Sequence, residues 1–267
     1  MNPYNKKYTE NSRVLLGGHR GDRKNYPENT MPAFIAMQEM GADAIETDVR
    51  MTKDGHLVLI HDRDVQRTTN GTGFIDEMTL AEIRELDAGF WKDEKFVGTK
   101  IPTVEEFLEF VSNTELLINW ELKEYAAELG EERAFGCIDR LVELIDKYGV
   151  AERSIMNSFA DNNLEYIDKK WPQKFAIHGY FNHPTADPST RPVSSFSDWS
   201  AIWHKDEEHP AGFPEDYEFA KQNGISTCIL VPDTEEMYLT ALDLGCTMFT
   251  SDDPSKAIEI LKKIGAR

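Results

Sequence analysis

The sequence predicts an α/β fold, a TIM-type (β/α)8 barrel with a small insertion after the second strand. Its 267 residues suit one such barrel, which typically needs about 250 residues. Short apolar runs rich in Val, Ile and Leu alternate with helical patterns along the chain. Runs of this kind are typical of parallel strands that are buried on both faces and joined by crossover helices.

Nine strands and seven helices are predicted from these patterns. The strands lie near residues 14–19, 44–50, 57–61, 116–122, 154–158, 175–180, 201–204, 226–231 and 247–251. The helices lie near residues 30–40, 102–112, 131–148, 161–171, 213–223, 234–244 and 254–264. Thr30 should supply a capping hydroxyl to the first helix ahead of Pro32, and Gly41 should end that helix. Asp253 and Pro254 should start the last helix in the same way.

The third strand is predicted to be antiparallel, which leaves eight parallel strands for the barrel. Asp54-Gly55, between the second and third strands, is a strong signal for a two-residue hairpin turn. With these two residues at the turn, Lys53 pairs with His56, and counting outward pairs Asp48 with His61. The hairpin therefore predicts that an imidazole lies close to a carboxylate.

Residues 63–100 interrupt the alternation of strands and helices. They are polar, and a short helix is predicted near residues 80–86. Long insertions in compact folds are often functional. We interpret the segment as an insertion within a single barrel domain of residues 1–267.

The acidic composition limits the classes of partner. The formal net charge is −19, whereas a non-specific nucleic-acid binder or a protein that docks on anionic lipid needs a basic surface. A small anionic substrate stays compatible, because a bound cation and a few local Lys or Arg side chains can invert the field inside a cleft. We therefore expect a small-molecule substrate and no nucleic-acid partner.

Cysteine usage and the terminal segment indicate the compartment. Cys137, Cys228 and Cys246 have neither the number nor the spacing of a disulfide framework or a zinc site, and they should be small buried residues. Residues 1–13 lack the apolar stretch of a signal peptide, and no run of about 18 apolar residues predicts a membrane span. A reducing, cytoplasmic setting is expected, and the oligomeric state is left open.

Charged side chains are predicted at the carboxyl ends of several strands. Glu46 and Asp48 are two residues apart on one strand and therefore point to the same side. Glu121 and Lys123 end another strand, and His19-Arg20 ends the first. In barrels of this type, the carboxyl ends of the strands form the catalytic face. Any one of these groups alone could be a salt-bridge partner, a cap or a core histidine, but their arrival at one end from independent strands indicates a site.

The chemistry of the set points to a metal and a phosphodiester. Glu46, Asp48 and Glu121 offer hard oxygen ligands suited to one divalent cation, Mg²⁺ or Ca²⁺, and they lack the imidazoles and thiolates of a typical zinc site. Basic side chains beside the cation would offset charge on phosphoryl oxygens. Of the two histidines, one would take a proton from the nucleophile and the other would donate one to the leaving alkoxide.

The order of these motifs resembles that of the glycerophosphodiester phosphodiesterases. The resemblance covers most of the chain and is most specific in the N-terminal half. The matching motifs are His19-Arg20-Gly21, Pro27-Glu28-Asn29-Thr30, Gly41-Ala42-Asp43, Ile45-Glu46-Thr47-Asp48-Val49, Thr52-Lys53-Asp54-Gly55, His61-Asp62, Arg67-Thr68-Thr69, Gly71-Thr72-Gly73, Ile101-Pro102-Thr103, Glu121-Leu122-Lys123, Ser158-Phe159 and Ser251-Asp252.

This resemblance implies a fold, an activity and residue roles. The fold is a TIM-type barrel with a small insertion after the second strand. The activity is hydrolysis of a glycerophosphodiester to glycerol 3-phosphate and an alcohol such as choline or ethanolamine. The implied roles are metal ligation by Glu46, Asp48 and Glu121, an acid/base pair at His19 and His61, and phosphate binding by Arg20 and Lys123.

The C-terminal half departs from the family pattern. Where the family usually carries Trp-Thr-Val-Asn on its seventh strand, this sequence has Cys228-Ile229-Leu230-Val231. The phosphate chemistry is unaffected, but the choice of alcohol is left open. Trp120, Trp203 and Phe181 are candidates for the missing aromatic wall, and His204 is a further candidate for the pocket.

The sequence leaves several alternative functions open. A lysophospholipase D-like enzyme would use the same catalytic face on a larger alcohol or lipid. A non-catalytic barrel that binds a phosphate ligand would not need two positioned histidines. A lyase with Lys123 as a Schiff base is disfavoured, because a neighbouring carboxylate keeps the amine charged. For the phosphodiesterase hypothesis, two mechanisms are open. The neighbouring glycerol hydroxyl attacks phosphorus and gives a cyclic phosphate, or water attacks phosphorus directly.

Overall fold

The computed structural model describes residues 6–7, 10, 13–202, 205–232 and 234–267. Within these residues, nine strands form one sheet. The strands are β1 (Leu15–His19), β2 (Ala44–Met51), β3 (Leu57–Leu59), β4 (Leu117–Leu122), β5 (Ser154–Asn157), β6 (Ala176–His178), β7 (Trp199–Ile202), β8 (Ser226–Leu230) and β9 (Met248–Ser251). Their order is β1-β9-β8-β7-β6-β5-β4-β2-β3, and β1 also pairs with β2. Eight parallel strands therefore close into a TIM-type barrel, and β3 pairs antiparallel with β2 outside it.

Helices lie between the strands as the alternating pattern predicts. The α-helices are α1 (Met31–Glu39), α2 (Leu80–Glu85), α3 (Val104–Val111), α4 (Ala126–Leu129), α5 (Glu131–Tyr148), α6 (Asp161–Lys170), α7 (Pro214–Gln222), α8 (Glu235–Asp243) and α9 (Pro254–Lys263). Short 3-10 helices cover Ile75–Glu77, Glu94–Phe96, Ala151–Arg153 and Val193–Ser195. Among the described helices, none has the length and apolar character needed to cross a membrane.

The sixth barrel strand is placed slightly too late by the sequence pattern. It was expected near residues 201–204, whereas β7 spans Trp199–Ile202. Trp203 and His204, which the sequence nominates for the pocket, lie outside the described residues. The other predicted strands and helices are confirmed to within one or two residues at each end.

Hydrophobic packing between the sheet and the helices positions the strands. One cluster fills the space between the sheet and the surrounding helices, and it contains Trp120. Trp120 is fully buried, packs edge-on against Phe107 at 5.4 Å between ring centroids, and donates a hydrogen bond from Nε1 to Ser154 Oγ. Trp120 points out of the barrel, so its candidacy for the pocket wall is wrong. Phe181 likewise contacts Phe219 of the outer helix α7.

The β2–β3 hairpin has a three-residue turn, so the predicted two-residue turn is wrong. Thr52 N donates to His56 O at 2.8 Å, and Gly55 has a φ of +82°. A glycine in this left-handed region at the end of a three-residue turn adds one residue to the loop. The register shifts by one, and Ile60 rather than His61 faces Asp48, with Ile60 N donating to Asp48 O. His61 is the next residue along the chain.

The helix starts differ from one another in their capping. Thr30 Oγ donates to Pro27 O and makes no capping bond to the first turn of α1, so the expected capping hydroxyl is wrong. The side chain of Asp253 accepts a hydrogen bond from Lys256 N, which confirms the predicted start of α9. Gly41 follows α1 with a φ of +73°, as expected for a helix end.

The segment 63–100 has a hydrophobic cluster of its own. Its buried side chains, among them Val65, Ile75 and Ile83, pack with Val58 and Ile60 of the hairpin. The short helix predicted near 80–86 is confirmed as α2. The description of residues 1–267 as one domain with an insertion stays a prediction.

Candidate active site

Three buried carboxylates meet at the carboxyl ends of neighbouring strands. Glu46 and Asp48 lie on β2, and Glu121 lies on β4, where it pairs in register with Asp48. One ligand oxygen from each lies within 4.8 Å of the other two. The sequence placed these three residues together, and the structure brings them together.

A buried oxygen of this carboxylate cluster has no hydrogen-bond donor among the described residues. Burial raises the pKa of Glu46 well above its usual value, and the charges of Asp48 and Glu121 raise it further. Glu46 Oε1 is buried and accepts no hydrogen bond from any described residue. Unpaired buried carboxylate oxygens are costly. A hard divalent cation suits such a donor set, so the residues present fit a cation site.

Lys123 and Arg20 are the cations that the protein places at this cluster. Lys123 Nζ contacts a Glu121 oxygen and lies 3.2 Å from Asp48 Oδ1. Burial lowers the pKa of Lys123, but Glu121 and Asp48 outweigh it and hold the pKa above its usual range. Lys123 is therefore a charged ammonium, which speaks against the Schiff-base alternative.

Arg20 contacts the carboxylates through both its backbone and its side chain. Its backbone N donates to Glu46 Oε2 at 2.8 Å, and its Nε lies 3.4 Å from Asp48 Oδ2. Its φ of +59° lies in the left-handed region, which is uncommon for a side chain of this size. Backbone strain of this kind is concentrated at functional sites.

Each of the two predicted histidines faces a carboxylate through Nδ1. His19 Nδ1 lies 2.6 Å from Asp252 Oδ1, and His61 Nδ1 lies 2.7 Å from Asp62 Oδ1. A carboxylate on Nδ1 favours the tautomer with its proton there, which leaves Nε2 for proton transfer. His19 Nε2 is 4.0 Å from Glu46 Oε2, at the edge of the carboxylate cluster.

Sequence reasoning assigned no role to several residues that shape this site. Asp62 and Asp252 belong to the quoted motifs, yet only the structure shows that they hold the histidines. The signal for Asp252 was available, because a closed barrel pairs its last strand with its first, and Gly18 indeed pairs with Ser251. Asn29 was also missed. Its Nδ2 donates to Asp48 Oδ2 at 2.7 Å.

Among the described residues, two aromatic rings near the site come from the ends of β5 and β6. Phe159 and Tyr180 stack with 4.0 Å between ring centroids, and Lys123 Nζ lies 5.7 Å from the Phe159 centroid. At the end of β8, Leu230 is half-buried and packs with the cluster inside the barrel. Val231 follows it with a φ of +51°, a strained conformation for a β-branched residue.

His56, His178 and the three cysteines lie outside the carboxylate cluster. His56 is exposed beside the hairpin turn, as expected. His178 is buried inside the barrel, where its Nε2 accepts from Ala201 N at 2.9 Å and burial lowers its pKa to about 3. The three cysteines are buried free thiols, as the sequence predicts.

Comparison with known proteins places this geometry in a family. A model of the glycerophosphoryl diester phosphodiesterase family matches residues 19–256. The chain belongs to that family. Its members are phosphoric diester hydrolases, and the resemblance seen in the motifs is confirmed.

Individual relatives agree with the family assignment. A glycerophosphodiester phosphodiesterase of Caldanaerobacter subterraneus is 36% identical over 95% of this chain and 100% of that protein. A phosphodiesterase of Oleispira antarctica, solved in complex with the product sn-glycerol-3-phosphate, is 25% identical with a TM-score of 0.79, over 95% of this chain and 98% of that one. A glycerophosphodiester phosphodiesterase of Agrobacterium tumefaciens shares the fold at 24% identity with a TM-score of 0.72, over 90% and 97% of the two chains.

Proposed function

We propose that this member of the family hydrolyses glycerophosphodiesters to glycerol 3-phosphate and an alcohol, with one divalent cation held by Glu46, Asp48 and Glu121. The observation that carries the proposal is the convergence of these three carboxylates with two carboxylate-bound histidines at one end of the barrel. The product named in the Oleispira antarctica structure supports the same substrate class.

The cation would be Mg²⁺ or Ca²⁺, since both prefer oxygen ligands. When bound, it would stabilise charge on the phosphoryl oxygens. Arg20 and Lys123 would bind the same oxygens from the protein side, because both stay charged and both adjoin the carboxylates. The basic groups thus make this end of an acidic protein attractive to a phosphodiester.

His19 and His61 would act as the acid/base pair. Each has its Nδ1 on a carboxylate, so each presents Nε2 as the atom that gains or loses a proton. One histidine accepts the proton of the attacking hydroxyl, and the other protonates the leaving alkoxide. The same pair serves an attacking glycerol hydroxyl or an attacking water.

A lysophospholipase D-like activity on a larger alcohol is the second candidate. The observation that favours it is the end of β8, where the half-buried Leu230 and Val231 are apolar residues at the carboxyl end of a barrel strand. We also propose a cytoplasmic setting, which the three buried free thiols support.

A substrate panel tests the proposal. Glycerophosphocholine, glycerophosphoethanolamine and a lysophosphatidylcholine would each be incubated with Mg²⁺, with Ca²⁺ and with a chelator, and the products followed by ³¹P NMR. Release of glycerol 3-phosphate that stops with the chelator supports the main proposal, and preference for the lysolipid supports the second candidate. Ligand binding without any turnover would contradict both and identify a non-catalytic binder.

A further inference from the structure

A continuous line of ion pairs joins His61 to His19. This line runs outside the carboxylate cluster. From His61 it passes to Asp62, and from Asp62 to Arg67. From Arg67 it continues through Glu28 to Arg23. Arg23 NH1 lies 3.4 Å from Asp252 Oδ1, and Asp252 contacts His19. The line therefore links the loop after β1, the segment after β3 and the end of β9.

Glu28 lies at the centre of this line and is almost completely buried, with 3% of its side chain exposed. Its Oε1 accepts from Arg20 NH1 and from Arg67 NH2, each at 2.8 Å. Its Oε2 accepts from Arg67 NH1 at 3.0 Å. Burial alone would raise the pKa of Glu28, but these guanidinium groups lower it to about 2. Glu28 is thus a fixed anion that holds the phosphate-binding Arg20 on one side and Arg67 on the other.

Arg67 uses all three of its side-chain nitrogens. NH1 and NH2 form a bidentate pair with Glu28, and Nε donates to Asp62 Oδ2 at 2.5 Å. The other oxygen of Asp62 contacts His61 Nδ1. A planar guanidinium can hold two carboxylates at a fixed angle in this way, whereas a lysine ammonium cannot.

We propose that Glu28 and Arg67 are positioning residues, which fix the orientation of His61 relative to Arg20. The proposal rests on the proposed function, since it assumes that His61 transfers a proton and that Arg20 binds the phosphoryl group. Neither positioning residue needs to touch the substrate. Their loss should misalign the imidazole and so lower kcat, while substrate binding through Lys123 and the cation held by the carboxylate cluster persists.

The test is Arg67→Met, with Arg67→Lys and Glu28→Gln beside it. Removal of a side chain that orients a catalytic group typically costs about 10- to 100-fold in activity, and we expect a loss of that size in kcat for all three variants, with KM changed by less than about threefold in the two Arg67 variants. Arg67→Lys should not restore the rate, because it keeps the charge but cannot bond both carboxylates.

Arg63→Met is the matched control. Arg63 lies in the same segment and forms a bidentate pair with Asp76 at 2.8 Å for both bonds. Its side chain is 35% exposed, against 44% for Arg67. The two variants should lower the unfolding temperature to a similar degree, but only Arg67→Met should lower kcat.

A double mutant tests whether Arg67 acts on kcat through Asp62. In an Asp62→Asn background, the loss caused by Arg67→Met should shrink by about threefold or more, because residues that act through one another are not additive. The inference is overturned if Arg67→Met keeps a wild-type kcat, if Arg63→Met loses as much, or if the loss is unchanged in the Asp62→Asn background. A wild-type protein without turnover would instead refute the proposed function.

Discussion

Asp252 Oδ1 lies 2.6 Å from His19 Nδ1, across the seam where the last barrel strand pairs with the first. The two residues are 233 positions apart in the chain. Closure of the barrel therefore completes the site, since His19 has its carboxylate only when β9 lies beside β1.

The contact predicts the effect of Asp252→Asn. An amide can present either a donor or an acceptor to Nδ1, so the tautomer of His19 is no longer fixed. We expect kcat to fall by about 10- to 100-fold, as is usual for loss of an orienting partner, with little change in KM. Steady-state kinetics measure this. Asp253→Asn is the control, because the side chain of Asp253 caps α9, and equal losses in the two variants would refute the role of Asp252.

Glu121→Gln should weaken the binding of the divalent cation. The substitution removes one charge from a site with three carboxylates and keeps the side-chain volume. We expect affinity to fall by more than about tenfold, equivalent to about 1.4 kcal/mol. Isothermal calorimetry with Mg²⁺ and with Ca²⁺ measures the change against Glu128→Gln, which lies at an exposed position on α4. Unchanged affinity would exclude Glu121 as a ligand.

Lys123→Met should destabilise the protein most when no cation is present. Removing one partner of a buried charge cluster costs about 3–5 kcal/mol, because the remaining carboxylates lose their counter-charge. A bound divalent cation stabilises the folded state by mass action and should offset part of this loss. Urea unfolding with chelator and with Ca²⁺ measures the difference. Lys53→Met, at the exposed hairpin turn, is the control. An equal loss in both conditions would contradict the prediction.

His178 should make stability depend on pH. Burial lowers its pKa from 6.5 to about 3 in the folded protein, whereas the unfolded chain binds a proton near the ordinary value. The unfolded state therefore holds more protons between these values, so this contribution is complete above pH 6.5 and is lost as the pH falls. The free energy of unfolding should decline by roughly 1.4 kcal/mol per pH unit from this group.

Urea unfolding between pH 7.5 and 5 checks the slope. His178→Asn should show a shallower decline than wild type, whatever its stability at neutral pH. His56→Asn should keep the wild-type slope, because His56 is exposed. Equal slopes for wild type and His178→Asn would show that the buried imidazole does not resist protonation.

Periodicity and turn chemistry were enough to predict the barrel, because each strand and helix leaves its own local pattern. They were wrong about the hairpin turn, which is one residue longer than predicted. The turn at Asp54 and Gly55 has three residues rather than two, and a local signal does not distinguish the two lengths reliably. Trp120 was one candidate for the pocket wall, but it precedes Glu121 on β4, so the alternation of strand side chains turns it toward the helices instead.

The charged residues at the strand ends were predictable because the carboxyl ends of barrel strands share one face. The partners of those residues were less accessible. Glu28 and Arg67 are 39 positions apart, on different loops, and only the folded chain shows their bidentate contact. Loop contacts of this kind depend on exact backbone paths, which neither hydrophobic periodicity nor spacing encodes.

The central claim is that His19 and His61 are the acid and base of a phosphodiester hydrolase. The most direct measurement is kcat of His19→Ala and His61→Ala on glycerophosphocholine with saturating cation, beside His56→Ala as the control. Each catalytic variant should lose about 10²- to 10⁴-fold, the usual cost of removing an acid or a base, while His56→Ala should match wild type. A wild-type kcat in either His19→Ala or His61→Ala would contradict the account.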